Sequence, residues 1–461
     1  MTSPLIPVEF REWPYRRRRF QNWILVGLMY SFFYMTRYNF SALAPTLREV
    51  FGWTKGDLGI FETLLPLVYG LSVVLNAPIA DKFGGRKAFL FGAIGVVLMN
   101  LAFGAFSSAV QVPAVWQGKE LVQPAVFAGG YSAHGMAWIM AIVWAANGYF
   151  QSFGALSIVK INAQWFHLRE RGTFGAIFGV LIRFGLILGF SGAPFIASVL
   201  PWQWAFWIPA AFVLLLFFLN FFFVVESPEE AGFATRDTGD AVVGEVGQTV
   251  TVGMVIKKVV SSWQMWMIAL ASMMIGMVRR SILDSSWFPL YFLEVHQVAK
   301  TAFGYQLTAW GIAILGILGG FVLGGMSDRV YGSRRAPVVA IGFMGMATCL
   351  GLFYLSDAMG LGQYGASGCL MLLSFFVNGA HGLIGGAASM DFGGRKAAAT
   401  AAGLFDGMQY LAAAFTAPAV AYITTNYSWQ WWKLWAVPFA LVGVVVMVSL
   451  WNVTPRGRGG H

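Results

Sequence analysis

Charge is what this chain has least of: 11% of its 461 residues are Asp, Glu, Lys or Arg, against about 25% in an ordinary soluble protein. That scarcity excludes a soluble globule. Cysteine is nearly absent as well. Cys349 and Cys369 lie within or at the edge of apolar segments, without partners at metal-ligand spacing, so they read as packing residues and carry no redox or compartment signal. No small-residue cleavage site follows the basic start at Arg16–Arg19, which argues against a secreted enzyme behind a cleavable signal. The net charge of +10 is dispersed in short clusters, with no long basic domain of the kind nucleic-acid binding calls for. Nucleophile-elbow, phosphate-loop, metal and triad patterns are missing, so neither an enzyme nor a bound cofactor is expected.

What is present is apolar mass, 58% of the chain. It recurs in blocks near 21–44, 58–80, 88–108, 136–165, 173–199, 203–225, 264–292, 305–326, 336–355, 366–390, 398–423 and 431–452, each close to the roughly 20 residues that cross a bilayer as a helix. Strand-like alternation is absent over these lengths. The fold class is therefore an all-α membrane protein of twelve transmembrane helices. If the N-terminus is cytoplasmic, most of the 30 basic residues fall in cytoplasmic segments, among them Arg16–Arg19, Lys82, Arg86, Lys87, Arg329, Arg334, Arg335, Arg395 and Lys396. Arg48, Lys55, Lys119, Lys300 and Lys433 face the other side. By the positive-inside rule both termini are cytoplasmic, in a cell (inner) membrane. Residues 111–134 read as an external loop or a short surface helix.

Between spans six and seven lies the longest polar connection, dividing the chain into 1–225, a linker at 226–260, and 261–461. Asp81-Lys82-Phe83-Gly84-Gly85-Arg86-Lys87 after span two is echoed by Asp328-Arg329-Val330-Tyr331-Gly332-Ser333-Arg334-Arg335 after span eight. Six spans per half make the copies parallel repeats.

Five cations lie within spans: Arg37, Lys160, Arg183, Arg279 and Arg280. A charge at that depth costs at least about 2.5–3.5 kcal/mol, which makes each a functional-site candidate. Arg37 shares a helix face with Tyr30 and Tyr34, four and three residues away. In span seven, Arg280 and Asp284 stand four apart and are expected to pair, leaving Arg279 for a ligand. Arg37 and Arg279 occupy corresponding spans of the two halves. Two guanidiniums facing one cavity call for a dianion, and their planar forks match phosphoryl oxygens; a dicarboxylate satisfies the same geometry.

The paired loops, with Asp81, Gly84, Arg86, Lys87, Gly324, Asp328, Arg329, Arg334 and Arg335, resemble the signature of the major facilitator superfamily. The resemblance implies two six-helix bundles and makes Asp81, Arg86, Asp328 and Arg329 gate residues. A narrower resemblance, to the organophosphate:phosphate antiporters, rests on Tyr30, Tyr34, Arg37, Asn39 and Phe40; Asp57-Leu58-Gly59; Tyr69-Gly70 and Ser72; Gly148, Gln151, Gly154 and Lys160; and Arg279, Ile282-Leu283-Asp284, Lys396, Thr400-Ala401-Ala402-Gly403 and Tyr410. It implies a monomeric carrier exchanging a small phosphorylated solute for inorganic phosphate, with Arg37, Arg279, Tyr30, Tyr34, Tyr410, Lys160 and Arg183 around the substrate. Proton-coupled carboxylate symport and non-transporting sugar-phosphate sensing are the alternatives.

The chain departs from that family at Val73, where a lysine is usual, at Gln164 for a histidine, at Leu181-Ile182-Arg183 for Ala-His-Asn, and at Asp406 for a glycine. Two readings of the gained charges stand open: Arg183 supplies a cavity cation, or it neutralises Asp406.

Overall fold

A computed structural model describes residues 8–118, 120–166, 179–236, 261–332 and 334–453. The helices are α1 (Trp13–Phe51), α2 (Lys55–Phe83), α3 (Gly85–Ala105), α4 (Ala133–Trp165), α5 (Gly179–Val199), α6 (Trp204–Phe223), α7 (Trp263–Ile282), α8 (Trp287–His296), α9 (Phe303–Arg329), α10 (Arg335–Ala358), α11 (Gly362–Gly382), α12 (Ser389–Asn426), α13 (Trp429–Trp435) and α14 (Val437–Ser449). Counting α7–α8 and α13–α14 as broken single spans, these make twelve membrane-length segments.

Among the described residues nine segments are long and apolar enough to cross a membrane. The three that fall short are α1, α4 and α12. Each carries polar residues in its middle: Thr36, Arg37 and Asn39 in α1, Asn147, Gln151 and Ser152 in α4, Asp406 and Gln409 in α12. The polar helices of an apolar bundle converge on its interior, because polar groups facing lipid are left without partners.

The packing repeats. In the first half α2 lies on α4, α3 on α4 and α6, and α1 on α6; in the second α9 lies on α11, α10 on α11 and α14, and α7 on α14. The halves meet chiefly through α2 against α12, with smaller contacts of α1 against α8 and of α5 against α9, the last corresponding to α2–α12. The α2–α12 crossing is close because Gly70 faces Gly407: a Cβ on Gly70 would stand 3.1 Å from the Gly407 carbonyl oxygen and from the Tyr410 Cβ. The polar connection expected at 226–260 lies outside the described residues beyond position 236.

Residues 110–127 correct the expectation of a loop or surface helix. They form two nested antiparallel ladders, Val110–Val112 with Val126–Phe127 and Val115–Gln117 with Glu120–Gln123. The segment is rich in valine, which favours a pleated surface, and Gly118 supplies the left-handed backbone at its tip (φ 61°). It covers the end of α1: Phe127 stacks on Phe51, and the Trp116 indole donates to the Glu49 carbonyl at 3.1 Å.

The end opposite the termini is tied shut across the halves. Glu294 of α8 accepts Arg48 of α1 and, at 2.9 Å, Lys55 of α2. Lys55 also donates to the Thr424 carbonyl of α12, and Lys300 to the Thr46 hydroxyl.

Candidate functional site

Arg37 is buried at the middle of α1. Its guanidinium lies over the ring of Tyr69, 4.4 Å from the centroid, and of Tyr34, 5.0 Å away. Nε and Nη2 both donate to Gln151 Oε1, at 3.3 and 3.1 Å, and Nη1 donates to the Tyr410 hydroxyl across the halves at 3.2 Å. No carboxylate lies within ion-pair distance of Arg37 among the described residues. Two of its five N–H groups are without a protein acceptor there.

Gln151 presents its oxygen to Arg37 because its amide nitrogen is spoken for, donating to the Phe33 carbonyl at 3.0 Å and to the Thr36 hydroxyl at 3.1 Å. Behind it, Asn39 donates to Asn100, Asn100 to Asn147, and Asn147 to the Thr36 carbonyl. This buried amide chain joins α1, α3 and α4 behind Thr36. Tyr30 packs edge-on against Tyr34, one turn from Arg37.

Arg279 comes from the last turn of α7. Its Nε donates to Asp284 Oδ2 at 2.5 Å and its Nη1 reaches Gln409 Oε1 at 3.4 Å, leaving three N–H groups without a protein acceptor among the described residues. Gln409 is in turn 3.1 Å from His381. The pairing expected from sequence is thereby corrected: Asp284 takes Arg279, and the Arg280 side chain goes to Glu62 of α2, Nη2 to Oε2 at 2.6 Å. The cause is a helix break. α7 ends at Ile282, so Asp284 sits in the turn before α8 and is not displayed at helical spacing from Arg280. Arg280 meets only the Asp284 backbone carbonyl.

Arg183 donates to the side-chain oxygen of Asn378 on α11. The expected alternative of an Arg183–Asp406 pair is not formed; Arg183 and Asp406 are each without a carboxylate or cation at pairing distance among the described residues. Asp406 lies on α12 three and four residues before Gln409 and Tyr410, hence on the face that carries the partners of both central arginines. It is within electrostatic reach of Arg279 and Arg37. Val73, at the position of the missing lysine, packs with Tyr69 and Tyr410.

Other expected residues lie elsewhere. Lys160 is on the termini side of α4, its Cβ beside Gly85 at the start of α3 and away from the central arginines. Arg86 is engaged within its own half: Glu226 accepts the backbone N–H groups of Gly85 and Arg86 at 2.8 and 2.6 Å, and the Arg86 side chain donates to the Phe221 carbonyl. Arg329 is exposed. The side chains of Asp81 and Asp328 lie outside the described residues.

The cluster that results holds two arginines from symmetry-related helices, lined by phenols and amides, at the seam of the halves. Residues 26–417 match the sequence model of the Major Facilitator Superfamily. The chain belongs to the Major Facilitator Superfamily. It is a multi-pass membrane protein of a transporter family. Among curated proteins it is similar to the glycerol-3-phosphate transporter of Bacillus subtilis (strain 168), 25% identical over 96% of this chain and 95% of that one. It is also similar to a probable hexose phosphate transport protein of Chlamydia trachomatis serovar D, 23% identical over 99% and 95%. A solved D-xylose-proton symporter shares the fold with a TM-score of 0.69 over 96% of this chain and 99% of that chain, at 15% identity.

Glu62 and Gln409 are the functional neighbours that sequence reasoning passed over. Glu62 carries its own signal: a carboxylate inside an apolar span is as costly as a cation and needs a partner in the same way.

Proposed function

We propose that this transporter exchanges a small organophosphate for inorganic phosphate, binding the phosphoryl group between Arg37 and Arg279. The observation that carries the reading is the unused donor capacity at that seam: both guanidiniums are held in place by neutral or one-sided contacts and keep N–H groups for a ligand. Arginine forks recognise phosphoryl oxygens with shared geometry and charge. The similarity to proteins named as glycerol-3-phosphate and hexose phosphate carriers supports the substrate class.

Alternating access follows from rocking the halves about the α2–α12 and α5–α9 contacts. With the termini cytoplasmic, the tied end is external and this structure is closed to the outside. A dianion between the arginines offsets their mutual repulsion, so the loaded carrier reorients more readily than the empty one, and exchange is favoured over leak. Counterflow into phosphate-loaded proteoliposomes tests this. Glycerol 3-phosphate or a hexose 6-phosphate outside should accelerate release of labelled phosphate severalfold; release indifferent to external ester would refute exchange.

A further inference from the structure

Along α12 the polar side chains of one face run in order from the termini end: Asp406, then Gln409 and Tyr410. Gln409 touches Arg279 and Tyr410 touches Arg37, so this level is where the phosphoryl group sits if the reading above holds. On the far side the space is closed. The void bounded by Arg37, Ser41, Glu62 and Arg280 has room for about one water molecule, and the Glu62–Arg280 pair blocks the way beyond it. The remainder of a bound solute must therefore extend toward the termini, and the first group it meets on α12 is the Asp406 carboxylate. The offset is one helical turn, about 6 Å at 1.5 Å per residue.

Asp406 is the odd carboxylate of the cluster. Glu62 has Arg280 and Asp284 has Arg279, whereas Asp406 has no hydrogen bond or ion pair among the described residues. Asp406 is partly buried, and an ion withdrawn even in part from water is costly unless a partner compensates it. A hydroxyl group needs only a neutral acceptor, and the cluster already offers Gln409, Asn378 and the tyrosines. A carboxylate answers to a cation. The charge balance agrees: Arg37, Arg183, Arg279 and Arg280 against Glu62, Asp284 and Asp406 leave one positive charge, which a dianionic ester would overshoot and a phosphate carrying an ammonium group would match.

We infer that Asp406 is a specificity-determining residue that binds an ammonium group of the solute, so the preferred substrates are amino-bearing phosphate esters, with the phosphoryl on Arg37 and Arg279 and the amine one helical turn toward the termini. This inference rests on the phosphate-exchange reading, and the experiment separates the two. Self-exchange of labelled phosphate is measured in proteoliposomes, with glucosamine 6-phosphate and glucose 6-phosphate as competitors, molecules that differ by an amino group for a hydroxyl. The wild-type protein should be inhibited at least tenfold more potently by the amino sugar phosphate. In Asp406→Asn, a near-isosteric change, the ratio should fall toward one, and a thermal melt of the purified variant reports whether it is folded. Equal potency on the wild-type protein, or a preference that survives in folded Asp406→Asn, overturns the role of Asp406 and leaves phosphate exchange standing. Absence of phosphate self-exchange in the wild type overturns both.

Discussion

Arg37→Lys is expected to lower phosphate exchange by about two orders of magnitude while the protein still folds. The guanidinium makes three hydrogen bonds to Gln151 and Tyr410 and lies over the faces of Tyr34 and Tyr69. An ammonium group is a point charge that cannot bridge Gln151 through two nitrogens, stack between the rings and still offer a fork to a phosphoryl group. A hydrogen bond to a charged group is worth about 1.5–3 kcal/mol, so losing one aimed at the ligand accounts for a factor of about 10 to 150. Arg279→Lys should behave alike, since its Nε is committed to Asp284 and only the guanidinium end faces the seam. Initial rates and apparent affinity in proteoliposomes are the measurement. If both lysine variants keep near-normal values, the arginines are structural and the phosphoryl group binds elsewhere. Gln151→Ala supplies a graded version: it leaves the charge of Arg37 but removes its orientation, and should cost about tenfold.

How far the sequence discloses this site depends on the kind of feature. Arg37 and Arg279 stand out because buried cations are rare and the loop repeat places them on corresponding helices. The recurrence of apolar blocks discloses twelve segments, and the three least apolar helices, α1, α4 and α12, bring Arg37, Gln151, Gln409 and Tyr410 to the site, while Arg279 comes from α7. Helical spacing fails at Arg280 and Asp284, because it presumes a continuous helix through a point where the chain turns at Leu283. The distribution of Arg183 and Asp406 between partners is also hidden: both neutral amides and carboxylates can accept from an arginine, and Asn378 lies almost two hundred residues away. Residues 110–127 read as loop because Pro113 and Gly118 interrupt strands of two to four residues, too short to show alternation.

Glu62→Ala should destabilise the folded protein strongly, and adding Arg280→Met should return much of the loss. Glu62 is buried and both its oxygens are engaged: Oε1 accepts the Ser41 hydroxyl at 2.8 Å, the Ser286 N–H at 3.0 Å and the Ser286 hydroxyl at 2.5 Å, and Oε2 accepts Arg280 at 2.6 Å. Ser41 is on α1 and Glu62 on α2, while Arg280 and Ser286 belong to the second half, so this carboxylate is a tie between the halves. Removing it leaves the Arg280 charge buried and uncompensated, which costs about 3–5 kcal/mol; replacing both partners by apolar groups avoids that penalty and is often neutral. The thermal midpoint of Glu62→Ala should therefore fall by several degrees and that of Glu62→Ala/Arg280→Met should recover. Function should not recover in step. The tie must break whenever the end opposite the termini opens and re-form when it closes, so the double variant should favour the open form, seen as faster labelling of a cysteine placed at Ser41. Phosphate should still protect the double variant against heat, because Arg37 and Arg279 are intact. Loss of that protection in a well-folded double variant would show that Arg280, and not Arg279, holds the phosphoryl group. Equal midpoints for the single and double variants would show that Glu62 and Arg280 do not depend on one another.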